Sequence, residues 1–197
     1  MRIVILATRN RGKVAEIKDI LKDLPFEFKF LLDYPSLPEI VEDGSTLEEN
    51  ALKKAREVFR HTNIPSISDD SGLEVFALNN RPGVYSARYA GENVSYEENN
   101  EKLLRELENI PQESRTARFR CVSAFVGEKF EYKVEGICNG KITFRSRGTR
   151  GFGYDPLFFC PEFSKTFGEI SPEEKNSISH RNRAMIQLRE KLKNTEY

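Results

Sequence analysis

Strand and helix signals alternate through the first half of this chain, and a hairpin signal occupies the second. Arg2 to Leu6 is an apolar run with three β-branched residues, the pattern of a buried strand. Val14, Ile17, Ile20, Leu21 and Leu24 recur at helical spacing, and Pro25 closes that helix. Phe26 to Leu32 reads as a second strand, and Asp33 to Gly44 as loop. Ser45 with Glu48 and Thr46 with Glu49 are overlapping capping boxes that open a helix to about Arg60. Ile64 to Ser68 reads as a short strand running into the turn-like Asp69-Asp70-Ser71-Gly72, and Leu73 to Leu78 is apolar again. Ser95 and Glu98 box another helix, which Pro111 ends. Thr116 to Val126 and Lys129 to Ile137 alternate as an antiparallel hairpin around Gly127-Glu128, and Gly140 to Phe144 extends that sheet. Arg145 to Pro156 is glycine-rich loop. Ser171-Pro172-Glu173-Glu174 starts a helix, and a last helix runs from Ser179 to about Lys193. This mixture predicts an α/β fold with a mixed sheet.

Composition narrows the function classes. The 197 residues carry 31 Lys+Arg against 31 Asp+Glu, a formal net charge of zero. That balance argues against coating nucleic acid or an acidic membrane, both of which need a broad charged field. The apolar runs are of strand length, far short of a spanning helix, and the N-terminus lacks a signal-peptide pattern. Cys121, Cys138 and Cys160 are widely spaced with no CxxC, so the expectation is a reducing cytoplasm rather than a disulfide framework or zinc cage. A chain of this size is expected to form one domain, residues 1–197.

Four segments carry residues suited to chemistry. Thr8-Arg9-Asn10-Arg11-Gly12-Lys13 lies between the first strand and first helix, where backbone N–H groups, a glycine and a lysine suit phosphate oxygens. It is not a Walker loop, because Val14 follows Lys13. An ordinary polar turn would look the same. In Ser68-Asp69-Asp70-Ser71-Gly72, adjacent carboxylates suit magnesium or a general base, while an Asx turn explains them equally well. In Gly148 to Pro156, glycines flank Phe152 and Tyr154, leaving an aromatic face on which a base can stack. Arg150 to Tyr154 also matches the start of an RNA-recognition signature, although Pro156 breaks the strand that signature needs. In the fourth, Lys175 to Arg181, Lys175 precedes a helix start and His180 and Arg181 sit in its first turn. Cations there are disfavoured by the helix dipole unless an anionic or acceptor-rich ligand meets them. A solvated basic face is the plain alternative. His61 reads as a surface residue at a helix end.

Taken in order, ATRNRGK, VEDGSTLEENALKKA, SDDSGLEV, PGVYSARYAG, GFGYDPLFF, TFGEISPEEKN and SHR resemble the inosine triphosphate pyrophosphatase family along the chain from Arg2 to the last helix. The resemblance implies an elongated, two-lobed α/β mixed-sheet fold with a central nucleotide-binding cleft, commonly a homodimer. It implies magnesium-dependent hydrolysis of ITP, dITP or XTP to the monophosphate and pyrophosphate, and so a cytoplasmic enzyme of nucleotide metabolism. Its implied partner is a nucleoside triphosphate, with neither nucleic acid nor membrane.

By the same resemblance, Thr8, Arg9, Asn10, Arg11, Gly12, Lys13 and Lys54 hold phosphates. Asp70 is general base and metal ligand, with Ser71 beside it. Phe152 stacks on the purine, and Gly153, Tyr154 and Asp155 complete the base pocket. Lys175, His180 and Arg181 face the base and its 6-oxo group. The second metal carboxylate is Glu42, chosen over Asp43 and Glu49. The alternatives are a related pyrophosphatase for other modified nucleotides and an RNA-binding module built on Arg150–Tyr154 and the basic strand Arg115 to Arg120.

Overall fold

The apolar N-terminal run and the amphipathic segment after it fold as expected in the computed structural model, which describes residues 2–194. In chain order the elements are β1 (Arg2–Leu6), α1 (Arg11–Ile20), β2 (Phe26–Phe30), α2 (Leu47–Thr62), β3 (Ser66–Val75), β4 (Arg81–Pro82), α3 (Tyr96–Glu106), β5 (Thr116–Val126), β6 (Glu131–Ile142), β7 (Phe158–Cys160), β8 (Lys165–Thr166), α4 (Pro172–Ile178) and α5 (His180–Lys193). Among the described residues the strands form one eight-stranded sheet, ordered β2-β1-β3-β5-β6-β7-β8, with β4 pairing β3 off that path. β1 pairs parallel with both β2 and β3, whereas β3–β4, β6–β7 and β7–β8 are antiparallel. The fold is mixed α/β. No helix among the described residues is long and apolar enough to cross a membrane.

The chain separates into two compact units, residues 2–70, 121–136 and 180–194 in the first and residues 71–120 and 137–179 in the second. In the first unit, Val14 and Ile17 of α1 pack with Leu6, Ile67, Phe125 and the Met185/Leu188 stripe of α5. In the second, Leu73, Leu103, Phe119, Phe158 and Phe167 share a core. There the Phe119 ring stacks nearly parallel on Phe167 at 5.9 Å and lies 4.6 Å from Phe158.

Three departures from the sequence expectation matter. β3 runs unbroken from Ser66 to Val75, so Asp69-Asp70-Ser71-Gly72 is extended strand and not a turn. Asp side chains break strands by bonding their own backbone, and here cations and an amide from neighbouring helices engage them instead. β6 continues to Ile142, absorbing residues expected in a separate extension. The very short β7 and β8 lie where no strand was expected.

Candidate active site

The first unit builds its polar cluster from α1, α2, β3 and α5. Asn10 is the N-cap of α1 and accepts from the Lys13 N–H at 3.2 Å, while Thr8 Oγ1 accepts from the Asn10 N–H at 3.1 Å. The first turn of α1 holds no acidic side chain and carries Lys13 in its place. An N-terminus arranged this way, with its dipole uncompensated by acid, favours an anion. Arg9 and Arg11 beside it are exposed.

Alternation along β3 distributes the chemistry between two faces. Ser66 and Ser68 donate their hydroxyls to the Ala55 and Ala51 carbonyls of α2. Asp70, next in that phase, meets the same helix: Asn50 Nδ2 donates to its Oδ2 at 3.2 Å, and Lys54 Nζ lies 3.6 Å from its Oδ1. Ile67 and Asp69 occupy the opposite phase. Ile67 packs into the core with α1 and α5, and Asp69 Oδ2 lies 3.2 Å from Lys13 Nζ of α1 and 3.1 Å from Arg181 Nε of α5. Cys121 Sγ reaches the same oxygen at 3.8 Å.

The two neighbouring carboxylates are therefore electrostatically unlike. Burial opposes the charge of Asp69, but Lys13, Arg181 and Lys54 outweigh it and hold its carboxyl far below the usual range. For Asp70 burial wins: it pushes the carboxyl up and Glu42 adds to the push, while Lys54, Lys13 and the Asn50 bond only partly offset them. Lys54 is deeply buried, which favours the neutral amine, yet Asp70, Glu42 and Asp69 keep it an ammonium. Its Nζ lies 2.8 Å from both Glu42 Oε2 and the Asp69 carbonyl. Of the three acids considered as a second metal ligand, Glu42 is the one that shares Lys54 with Asp70. Asp43 pairs with Lys53, and Glu49 accepts from the Ser45 and Thr46 N–H groups at the start of α2.

Arg181 and His180 open α5, both buried. Burial disfavours the guanidinium charge, but Asp69 and Glu16 raise its pKa further still. Nε engages Asp69 and Nη1 engages Glu16.

The second unit builds the glycine-rich loop. Asp155 Oδ2 accepts from the Phe152 N–H at 2.9 Å and from Lys175 Nζ of α4 at 2.6 Å. Gly151 makes this possible: it sits at φ +77, and a Cβ there would come within 2.0 Å of that carboxylate oxygen. Lys175 Nζ also lies 4.7 Å from the centroid of the Phe152 ring, within cation–π range. Phe152 is half-buried, whereas Tyr154 is a core residue whose hydroxyl donates to the Ser86 carbonyl at 2.9 Å. Arg150 to Tyr154 is loop rather than a sheet strand, so it lacks the backbone on which an RNA-recognition sheet displays its aromatics. Ser71 follows Asp70 on β3 and is the first residue of the second unit.

The expected site residues thus fall into two groups. Lys13, Lys54, Glu42, Asp70 and Arg181 belong to the cluster of the first unit, and Phe152, Asp155 and Lys175 contact one another in the second. Sequence reasoning singled out Asp69 only as one of two adjacent carboxylates and gave it no role of its own, and it missed Asn50 and Glu16 as members of the first cluster. Asn50 sits one helical turn before Lys54, a spacing that places both on one face. Glu16 likewise follows Lys13 by three residues in α1.

The Ham1 family model matches residues 4–191 of this chain. A dITP/XTP pyrophosphatase from Geobacter sulfurreducens is 53% identical over 194 residues, spanning 98% of this chain and 97% of its own length. One of the same name from Halalkalibacterium halodurans is 50% identical, spanning 95% and 97%. The structure of a HAM1 protein from Coxiella burnetii superposes with a TM-score of 0.91 at 41% identity, covering 99% of this chain and all of the other. Two unlike carboxylates on opposite phases of β3, a lysine-bearing helix N-terminus and an aromatic glycine loop accompany that likeness, and the chain belongs to the Ham1 family.

Proposed function

We propose that this chain hydrolyses non-standard purine nucleoside triphosphates (dITP, ITP and XTP) to the nucleoside monophosphate and pyrophosphate. The observation that carries this reading is the alignment with relatives named dITP/XTP pyrophosphatase along nearly the whole of both chains. That coverage also supports treating residues 1–197 as one catalytic domain. The family resemblance supports a homodimer in the cytoplasm.

The residues fit the reaction by their chemistry. The N-terminus of α1, with Thr8 to Lys13, offers N–H groups and positive charge to phosphate oxygens. Lys54 adds a buried ammonium. Asp70, whose carboxyl burial has pushed up, takes the proton of the attacking water as the bridge between the α and β phosphates breaks. Pyrophosphate then leaves with the bridging oxygen.

Glu42 and Asp70 suit magnesium, which favours one or two carboxylates together with substrate phosphates. Both already converge on the cation of Lys54. When bound, the ion would neutralise phosphate charge and polarise the scissile bond.

In the second unit Phe152 stacks on the purine, with Gly153, Tyr154 and Asp155 shaping the pocket and Ser71 contributing to substrate contact. Lys175 meets the 6-oxo group, the role that the family resemblance also gives to His180 and Arg181 of the first unit. Adenine presents a donor at that position, and donor facing donor rejects it.

The test is pyrophosphate release with magnesium from dITP, XTP, dATP, dGTP, dUTP and 7-methyl-GTP. Preferential cleavage of dITP and XTP is the expected result. Preference for a pyrimidine or for 7-methyl-GTP would make the chain a pyrophosphatase of another modified nucleotide. No hydrolysis together with salt-sensitive RNA binding would overturn the enzyme reading.

A further inference from the structure

Helix α3 presents two side chains one turn apart to the loop that carries Phe152. Tyr96 is its first residue, after the Ser95 N-cap. The Tyr96 ring centroid lies 6.3 Å from that of Phe152, with the ring planes inclined by 38°. That spacing is within the range of favourable aromatic pairs. Asn100 follows at the fourth position, on the same helix face, and is 8% exposed. Its Nδ2 donates to the Gly153 carbonyl at 3.1 Å.

Both contacts bear on the stacking ring. Gly153 adopts φ +62, a left-handed conformation from which a glycine can readily depart, so a bond to its carbonyl holds the Gly153–Tyr154 peptide and limits how the residue after Phe152 can turn. Lys175 and the Asp155 bond to the Phe152 N–H restrain the same residue from within the glycine loop and α4. Tyr96 is 45% exposed. An aromatic ring so open to water adds little to the core, and the Phe152 ring is the aromatic partner it meets.

We propose that Tyr96 and Asn100 are positioning residues for purine recognition: Tyr96 sets the inclination of the Phe152 ring, and Asn100 fixes the backbone of Gly153, the residue that follows it. This rests on the reading of Phe152 as the residue that stacks on the base. It adds α3, which lies outside the four segments singled out for chemistry in the sequence, to the determinants of base binding.

Steady-state kinetics with dITP test it, alongside inhibition by inorganic pyrophosphate, the product that has no base. Tyr96→Ala is expected to raise KM for dITP by about threefold to tenfold, the span of one aromatic pair. The expected change in kcat is under about twofold, because the lost contact serves ground state and transition state alike. The inhibition constant for pyrophosphate stays at its wild-type value, and Tyr96→Phe restores KM. Asn100→Asp sets a carboxylate against the Gly153 carbonyl and raises KM in the same selective way. If that variant does not fold, the exposed Tyr96 series decides alone.

A wild-type KM in Tyr96→Ala overturns the inference while leaving the proposed function intact. So does a rise in the pyrophosphate constant parallel to KM, since that marks a general structural effect. A wild-type chain that hydrolyses no nucleoside triphosphate overturns the function and the inference together.

Discussion

Lys13 Nζ and Arg181 Nε share one oxygen of Asp69, at 3.2 and 3.1 Å, and the Asp69 side chain has no exposure to water. One carboxylate thereby ties the first turn of α1 to the first turn of α5. Asp69→Asn leaves two cations around a neutral amide. Removing one partner of a buried ion pair costs about 3–5 kcal/mol, and a loss of that size is expected in urea unfolding. An unchanged urea midpoint would show that the neighbouring carboxylates suffice to hold Lys13 and Arg181.

Asp70 has the opposite character. Its carboxyl is raised by burial, so the folded protein tolerates its charge rather than depending on it. Asp70→Asn is expected to abolish pyrophosphate release while nucleotide binding persists and Tm does not fall. Turnover near the wild-type rate in this variant would remove Asp70 from the mechanism.

Phe152 is the ring assigned to the base, and Lys175 lies 4.7 Å from its centroid. Phe152→Ala is expected to weaken binding of dITP or XTP by about 1–3 kcal/mol, the range for one stacked base. Equilibrium binding to the inactive Asp70→Asn background measures this directly. Equal affinities would identify Phe152 as a packing residue.

Glu169 steadies the start of the glycine loop. Its carboxylate accepts from Arg147 Nη2 at 2.8 Å and from the Thr166 N–H at 2.8 Å. The Arg147 bond first, and the Thr166 bonds after it, lower its pKa from an ordinary 4.5 to about 2. A group whose pKa is depressed by folding stabilises above its unfolded value and stops doing so as pH falls through its folded value. Glu169→Gln is therefore expected to melt below the wild type at pH 6. The gap should close progressively between pH 4.5 and pH 2. A gap in Tm independent of pH over that range would exclude the carboxylate charge as its source.

Features set by neighbouring residues were legible in the sequence. Thr46–Glu49, Ser95–Glu98 and Ser171–Glu174 all close as reciprocal capping boxes. Of the two overlapping candidates Thr46 is the cap, and Ser45 gives its N–H and hydroxyl to Glu49 instead. The strand through Asp69 and Asp70 was not legible, because local chemistry favours a turn there. What holds it extended comes from Lys13, Asn50, Lys54 and Arg181, the last 112 residues away in sequence from Asp69. β7 and β8 are three and two residues long, too short for alternation to register. At the site, Glu42, Asp43 and Glu49 look alike in one acidic stretch, and only the partners each one finds separate them.

The even and odd residues of β3 carry a further consequence. Ser66 and Ser68 fasten one phase of the strand to backbone carbonyls of α2, and so fix which of two chemically identical neighbours meets Lys54 and which meets Lys13. A single-residue insertion between Ser68 and Asp69 would reverse that parity. Asp69 would then face α2, Asp70 would face α1 and α5, and the composition of the motif would survive while its division of labour was exchanged. The two serines thus act as the strand's phase reference, giving a sequence of two like letters two unlike meanings.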